Sequence, residues 1–228
     1  MELLAAQPLL FEPGTSWAYG LSSDLLGYFI EVISEQPLDQ FFAENIFEPL
    51  AMTDSYFYLP ESKADRLVTL YADAGSQGLI VSKGDESDII LDNPRFPIEG
   101  ARRFFSAGAG LSSTATDYAR LCQMLLNGGV LDGKRILSRK SVELMQAPRA
   151  DIDADGKADF SLGFFVVAEL GKSTELGSAG AYSWGGAFNT AYWIDPAEKL
   201  IGVIMTQVRP VDSTINERFR TLVYQALE

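Results

Sequence analysis

The chain has 228 residues, of which 47% are hydrophobic and 11% aromatic, so it can bury a substantial core as one large domain or two small ones. Its formal charge of −13 predicts repulsion from nucleic acid phosphates and anionic lipid surfaces, which argues against nucleic acid and membrane partners. No stretch is apolar over the roughly 18 to 20 residues that span a bilayer, and no secretory pattern opens the chain, so we expect the chain as given to be cytoplasmic.

Two helices are predicted in the first fifty residues. A lead-in rich in proline and glycine ends near Tyr19, and Ser22 or Ser23 is placed to cap the first helix. A second, shorter helix runs from about Leu38 to Phe47 before Pro49 ends it. The first helix carries an apolar stripe at helical spacing, which we expect to pack against another element: Leu25, Leu26, Phe29, Ile30 and Ile33.

The middle of the chain combines a long loop with two capped helices. Residues 60–105 lack periodicity and are predicted to be mostly loop with two short strands, either as a wall over a site or as an insertion. Thr114 then caps a helix that runs to about Asn127. After a tight reversal at Asp132-Gly133, a further helix runs from Ser138 to about Gln146.

Strands dominate from Ser161 onward. Runs at 162–168, 181–194 and 200–207 are joined by short connections and are expected to pair antiparallel, and Ser213 is placed to cap a final helix. The predicted order of elements, with helices first and an antiparallel meander of strands after them, indicates an α+β fold. We expect residues 1–150 to form the remainder of a mainly helical region, and residues 151–228 to form the antiparallel strands and C-terminal helix.

The residue inventory narrows the possible chemistry. The chain has no histidine, which excludes Ser-His-Asp and Cys-His catalysis, so any acid or base must be Tyr, Lys, Asp or Glu. A single cysteine, Cys122, permits no internal disulfide and no cysteine metal cluster, and we expect neither a metal nor a cofactor. Cys122 fits the apolar face of its helix, so a buried core residue is favoured over a reactive thiol.

Two short segments are candidates for a site: residues 17–21, Trp-Ala-Tyr-Gly-Leu, and residues 183–187, Ser-Trp-Gly-Gly-Ala. Taken singly, a packed tyrosine and a strand bulge with a packed indole would explain them. Together they resemble the second and third motifs of serine β-lactamases, penicillin-binding proteins and family VIII carboxylesterases. Further stretches in the same order are similar to that family: Phe11–Thr15, Phe47–Met52, Gly108–Thr114, Leu125–Gly129 and Trp193–Pro196.

The resemblance implies a β-lactamase/transpeptidase-like fold, with an antiparallel sheet packed by helices, and roles for particular residues. Tyr19 would assist proton transfer, for which a phenol with an ordinary pKa near ~10 needs to share its proton. The segment Trp184-Gly185-Gly186 would replace the family's Lys-Thr-Gly strand motif. The backbone N–H of Ala187, on the edge strand, would be one of two oxyanion-hole donors.

Departures from the family pattern bear on the substrate, which the resemblance implies is a small acyl ester or a β-lactam. Leu21 stands where an Asn that contacts β-lactams is common, and Trp184 and Gly185 stand where Lys and Thr would bind a carboxylate. These changes favour an esterase that forms an acyl-serine intermediate over a lactamase. An unrelated tyrosine- or carboxylate-based hydrolase would need paired acids, for which the acids on one predicted loop are poor candidates: Asp151, Asp153 and Asp155.

The family's first motif, Ser-x-x-Lys, is absent, because none of the seven lysines follows a serine by three positions. In the family this motif lies well before the tyrosine, so we expect the N-terminal part of the fold, with nucleophile and general base, to be missing from this chain. The chain alone is then inactive. The alternative is a non-catalytic binding or scaffold module of the same fold. In either case the exposed sheet edge and apolar surface predict self-association or pairing with the missing half.

Overall fold

The computed structural model describes residues 2–84, 90–91, 93–152, 159–170, 176–210 and 214–227. Within these ranges the α-helices are α1 Glu2–Ala5, α2 Ser22–Ser34, α3 Leu38–Phe42, α4 Phe96–Glu99, α5 Ala115–Leu126, α6 Arg139–Gln146 and α7 Thr214–Gln225. A π-helical turn, Ala43–Phe47, extends α3, and 3-10 turns cover Glu61–Arg66 and Gly75–Gln77. None of the described helices is long and apolar enough to cross a membrane.

Three groups of paired strands accompany the helices. The largest is a four-stranded antiparallel sheet in the order β5-β6-β7-β8, formed by β5 Phe165–Val166, β6 Tyr182–Gly185, β7 Ala191–Asp195 and β8 Leu200–Ile204. A smaller sheet pairs β1 Tyr71–Asp73 with β2 Leu79–Val81 and, in parallel, with β9 Val208–Arg209. The hairpin β3 Val130–Leu131 and β4 Lys134–Arg135 lies between α5 and α6. The α+β prediction, the antiparallel pairing and the two short strands within 60–105 are confirmed.

Two predicted helix caps are confirmed, and one is wrong. Thr114 accepts a hydrogen bond from the Asp117 N–H, and Ser138 accepts one from the Ser141 N–H, so both satisfy donors that a helix start leaves unpaired. The first long helix instead takes Leu21 as its N-cap, without a side-chain cap bond. The cap predicted at Ser213 lies outside the described residues.

The predicted strand at 181–194 is in fact two strands with a turn between them. Residues 186–190 leave the ladder because Asn189 adopts a left-handed φ of 64° and its N–H bonds back to the Gly186 carbonyl at 3.1 Å. The predicted strand at 162–168 is shorter than expected and contributes only Phe165–Val166 to the sheet.

The core lies between α5, α6 and the four-stranded sheet. Its buried members come from both sides of residue 150: Phe47, Leu50, Met52, Cys122, Met124, Leu125, Val142, Phe164, Val166, Tyr182 and Ile194. Cys122 is completely buried, as predicted, and desolvation raises the pKa of its thiol to about 12, which keeps the thiol protonated. The division at residue 150 stays a prediction.

The apolar side of α2 is exposed, whereas the sequence predicted that this side packs against another element. Four of the five residues in its predicted stripe, all but Ile30, are more than half exposed rather than packed. Its polar residues point inward instead: Asp24 accepts a hydrogen bond from Ser106 Oγ at 2.7 Å, and Glu31 accepts one from the Leu38 N–H at 2.9 Å. Gly27 permits this approach, because an added Cβ would lie 2.8 Å from the Ala107 Cβ.

A surface carboxylate, Asp54, gives the fold a pH-dependent contribution. Hydrogen bonds from Arg66 and from Lys63, at 2.5 and 2.7 Å to Oδ1, lower its pKa to about 2. Since the folded-state pKa lies below the unfolded value near ~3.9, this stabilisation is complete above that value and is lost as the pH falls toward 2.

We therefore expect wild type to exceed Asp54→Asn in free energy of unfolding above about pH 4, and expect the difference to shrink as the pH falls to about 2.5. Urea unfolding of both proteins at several pH values in this range measures the difference in free energy of unfolding. Arg66→Gln, which removes the first partner, should show a smaller pH dependence than wild type. A wild-type advantage that stays constant over the whole range would contradict the assignment.

Candidate functional site

The two segments singled out from the sequence lie side by side in the structure. Tyr19 precedes α2 in a segment without regular secondary structure and is 74% exposed. Trp184 lies on β6, and the two rings are parallel within 3°, with centroids 6.4 Å apart. A surface tyrosine and a strand tryptophan that are distant in sequence therefore border one shared surface.

Two further aromatic residues complete this border. Trp17 meets the ring of Tyr19 at 6.2 Å and that of Phe160 at 5.5 Å, and Phe160 meets Trp184 edge-on at 5.2 Å. The backbone of Phe160 pairs with Ala150 and with Phe165, which places its ring beside the sheet. We call these four residues, Trp17, Tyr19, Phe160 and Trp184, the aromatic cluster. Sequence reasoning missed Phe160, because nothing local to it indicates a role.

The Tyr19 segment is anchored through the start of α2. Besides the Ser106 hydroxyl, Asp24 Oδ1 lies 3.4 Å from the Gly108 N–H, and Ser106 Oγ in turn accepts the Ala109 N–H at 3.1 Å. Leu21, the predicted substrate-binding position, is the N-cap of α2 and is 59% exposed. The loop at 106–109 thus fixes the start of the helix that follows Tyr19 and Leu21.

The two glycines after Trp184 differ in what they leave open. An added Cβ at Gly186 would lie 2.3 Å from Thr190 Oγ1, so the side-chain space there is already filled. At Gly185 the nearest atom to such a Cβ is the Thr190 carbonyl oxygen at 3.4 Å. Among the described residues, β5 pairs with β6 only at Tyr182 and Ser183, so none of them pairs with the outer edge of β6 at Trp184 and Gly185. The backbone at Gly185 is exposed.

Ala187 lies in the turn after β6, not on an edge strand as predicted, because the chain reverses at 186–190 to enter β7. Its N–H has no hydrogen-bond partner among the described residues. The backbone carbonyls of the next two residues, Phe188 and Asn189, accept hydrogen bonds from the segment that follows β8. Thr206 Oγ1 lies 3.1 Å from Phe188 O and 2.8 Å from Asn189 O and shares its one proton between these carbonyls, and the Val208 N–H donates to Phe188 O at 3.2 Å.

Among the described residues of this turn, the Gly186 and Asn189 N–H groups are hydrogen-bonded within the turn, whereas the Ala187 N–H is left unpaired. Sequence reasoning missed the contact of Thr206 with this turn, because in the sequence Thr206 is only the end of a predicted strand. Of the acidic trio considered for a carboxylate mechanism, Asp153 and Asp155 lie outside the described residues.

Comparisons with known proteins agree with this architecture. Protein Rv1367c of Mycobacterium tuberculosis (strain ATCC 25618 / H37Rv) is 33% identical over 91% of this chain and 52% of its own length. The lovastatin esterase of Penicillium rubens is 28% identical over 99% of this chain and 60% of its own length. The chain thus spans about half the length of the curated relatives it matches.

Solved structures show the same fold. The structure of EstCE1, described as a hydrolase with promiscuous acyltransferase activity, superimposes with a TM-score of 0.81 at 25% identity, covering 97% of this chain and 60% of EstCE1. The family model for beta-lactamase matches residues 1–225, which is nearly the whole chain. This chain belongs to the beta-lactamase family and has its β-lactamase/transpeptidase-like fold.

Proposed function

We propose that this chain supplies the tyrosine and oxyanion part of an esterase site that works through an acyl-serine intermediate. The observation that carries the proposal is the parallel pairing of Tyr19 with Trp184, beside the turn that presents the free Ala187 N–H. The serine and lysine of the first motif are absent from residues 1–228, so the chain alone is expected not to turn over an ester.

Each group has a definite task in the proposed reaction. A serine oxygen, supplied from outside these residues, attacks the ester carbonyl as its proton passes to the amine of the lysine supplied with it. The carbonyl oxygen becomes negative and accepts the Ala187 N–H. The tetrahedral intermediate expels the alkoxide, which takes a proton from Tyr19 while Tyr19 takes one from the lysine ammonium, and an acyl-serine is left. Water then attacks the acyl-serine by the same steps, releasing the acid and restoring the serine hydroxyl.

The surroundings of the site favour a neutral ester over a β-lactam. Where a lysine and a threonine would bind a carboxylate, this chain has Trp184 and Gly185. The half-buried rings of Trp17 and Phe160 extend the apolar wall on the same side. Apolar rings stabilise an uncharged acyl or alcohol group, but they give an anion no partner for its desolvated charge.

Calorimetric titration of the purified chain tests the substrate class. We expect p-nitrophenyl butyrate to bind without release of nitrophenol, and expect Trp184→Ala to weaken binding about tenfold through loss of ring contact. Trp184→Phe, the matched control, keeps a ring and should retain most of the affinity. Release of nitrophenol above the buffer rate, or tighter binding of benzylpenicillin than of the ester, would contradict the proposal.

A second candidate function is a binding module that retains the surface without the chemistry, as the missing Ser-x-x-Lys pair would also allow. The two proposed functions predict different activities once a segment with the serine and lysine is joined to the chain. The esterase proposal expects turnover that falls when Tyr19 is changed to Phe. The binding module expects an unchanged affinity for the ester and no turnover.

A further inference from the structure

The peptide bond between Gly186 and Ala187 carries the unpaired N–H of the turn, and its orientation is set by Asn189. The Asn189 N–H donates to the Gly186 carbonyl at 3.1 Å and closes a β-turn over residues 186–189. This peptide is trans, as are the other described peptide bonds except Arg209-Pro210, so its C=O and N–H groups point in opposite directions. By holding the Gly186 carbonyl on one side, Asn189 directs the Ala187 N–H to the other side.

Asn189 holds a backbone conformation that most side chains disfavour. Its φ of 64° lies in the left-handed region, where asparagine is enriched among the residues other than glycine. Its side chain is fixed from a distant part of the chain: Asn189 is 4% exposed, and its Oδ1 accepts a hydrogen bond from Asn216 Nδ2 of α7 at 3.1 Å. Its carbonyl accepts the bond from Thr206. Asn189 is thus held by its side chain and its carbonyl, and its N–H in turn holds Gly186.

The helix α7 is a fixed support for this contact. The Tyr224 hydroxyl donates to Asp195 Oδ2 at 2.7 Å, and the ring of Phe219 meets that of Trp193 at 5.6 Å. Both contacts lie three or more residues beyond Asn216, and neither involves the turn. Loss of the Asn216 amide should therefore leave α7 in place and affect mainly the turn.

We propose that Asn189 and Asn216 are positioning residues for the Ala187 N–H of the oxyanion hole. Neither asparagine touches the substrate in this role, because both act through the peptide that Ala187 shares with Gly186. The role in ester hydrolysis rests on the proposed function, since it requires that Ala187 donates to a substrate carbonyl. An N–H that is already oriented before the substrate binds stabilises the developing negative charge without reorganisation.

NMR spectroscopy of the 228-residue chain observes this peptide directly. With ¹³C in the glycine carbonyls and ¹⁵N in the alanine amides, a carbonyl-selected amide spectrum contains signals only from Gly-Ala pairs, which lie at 100–101, 108–109, 180–181 and 186–187. Ala187→Ser removes the 186–187 signal and thereby assigns it. That signal combines the carbonyl that accepts the Asn189 N–H with the amide of Ala187.

We expect Asn216→Ala to move the 186–187 signal and to leave the other Gly-Ala signals in place, which also shows that the variant folds. Asn189→Gly tests the same contact from its other side, because glycine keeps the left-handed φ but offers no side chain to Asn216. The shift in the double variant should be smaller than the sum of the two single shifts, since both changes break one contact. The matched control, Gln225→Ala, removes an amide from an exposed position of α7 and should move none of the signals.

Addition of p-nitrophenyl butyrate separates the positioning role from the proposed function. In wild type the ester carbonyl should accept the Ala187 N–H and move its proton signal downfield, and at equal occupancy this shift should be about twofold smaller in Asn216→Ala and in Asn189→Gly. A 186–187 signal that neither variant moves, or an ester-induced shift as large in both variants as in wild type, would overturn the positioning role. The absence of an ester-induced shift in wild type would reject the proposed function, whereas the spectra without ester still decide whether Asn216 orients the peptide.

Discussion

Replacing Asp195 with alanine should lower the free energy of unfolding by about 3 kcal/mol, because one fully buried carboxylate joins three parts of the chain. Its Oδ1 accepts the N–H groups of Ala197 and Glu198 at 3.1 and 3.2 Å and shapes the turn between β7 and β8. Its Oδ2 accepts the Ser178 N–H at 3.0 Å and the Tyr224 hydroxyl at 2.7 Å, which ties α7 to the sheet. Burial, with the neighbouring carboxylate, raises the pKa of Tyr224.

Urea unfolding followed by circular dichroism measures this effect. Glu198→Ala removes the same charge from an exposed position of the same turn, so it controls for the change in net charge and should cost less than about 0.5 kcal/mol. The loss of stability for Asp195→Asn should fall between those of Asp195→Ala and Glu198→Ala. The amide keeps one acceptor oxygen, but it places an NH2 group against the N–H donors of Ser178 or of the turn. Equal stability of Asp195→Ala and Glu198→Ala would refute the anchoring role.

Gly202→Ala should destabilise the chain by about 3 kcal/mol through a clash with a buried indole. Gly202 on β8 lies directly opposite Trp193 on β7, and an added Cβ would lie 2.1 Å from the indole Cη2 and Cζ2 atoms. The indole cannot move aside easily, because it is 2% exposed and contacts Phe219 of α7 at 5.6 Å. The glycine is therefore needed for the space it leaves to the tryptophan.

A double-mutant cycle identifies this cause. Trp193→Phe shortens the ring, so Gly202→Ala should cost markedly less in that background than in wild type, a coupling of about 1 kcal/mol or more. Gly20→Ala is the matched control, because no atom lies within 4 Å of its added Cβ and its φ is not left-handed. A cost for Gly202→Ala that is unchanged by Trp193→Phe would show that the clash is not the source.

The site was predictable in part, and the reasons differ by residue. Tyr19 and Trp184, which the sequence singled out only through family resemblance, lie side by side in the structure, because the fold brings together segments that share no local pattern. The placement of Ala187 on a strand was wrong, because residues 181–194 are not one strand. They contain a turn that depends on the left-handed φ of Asn189 and on the hydrogen bond from Thr206 to the Asn189 carbonyl. The catalytic roles of these residues stay predictions.

The sequence by itself determined the features that depend on near neighbours or on residue identity alone. The caps at Thr114 and Ser138, the antiparallel order of the last strands and the lack of histidine and of a Ser-x-x-Lys pair all belong here. Only the tertiary structure decided which side of α2 faces outward and how Asp195 joins the sheet to α7. An amphipathic pattern indicates that a helix has an apolar and a polar side, but which side is buried depends on residues far away in the chain.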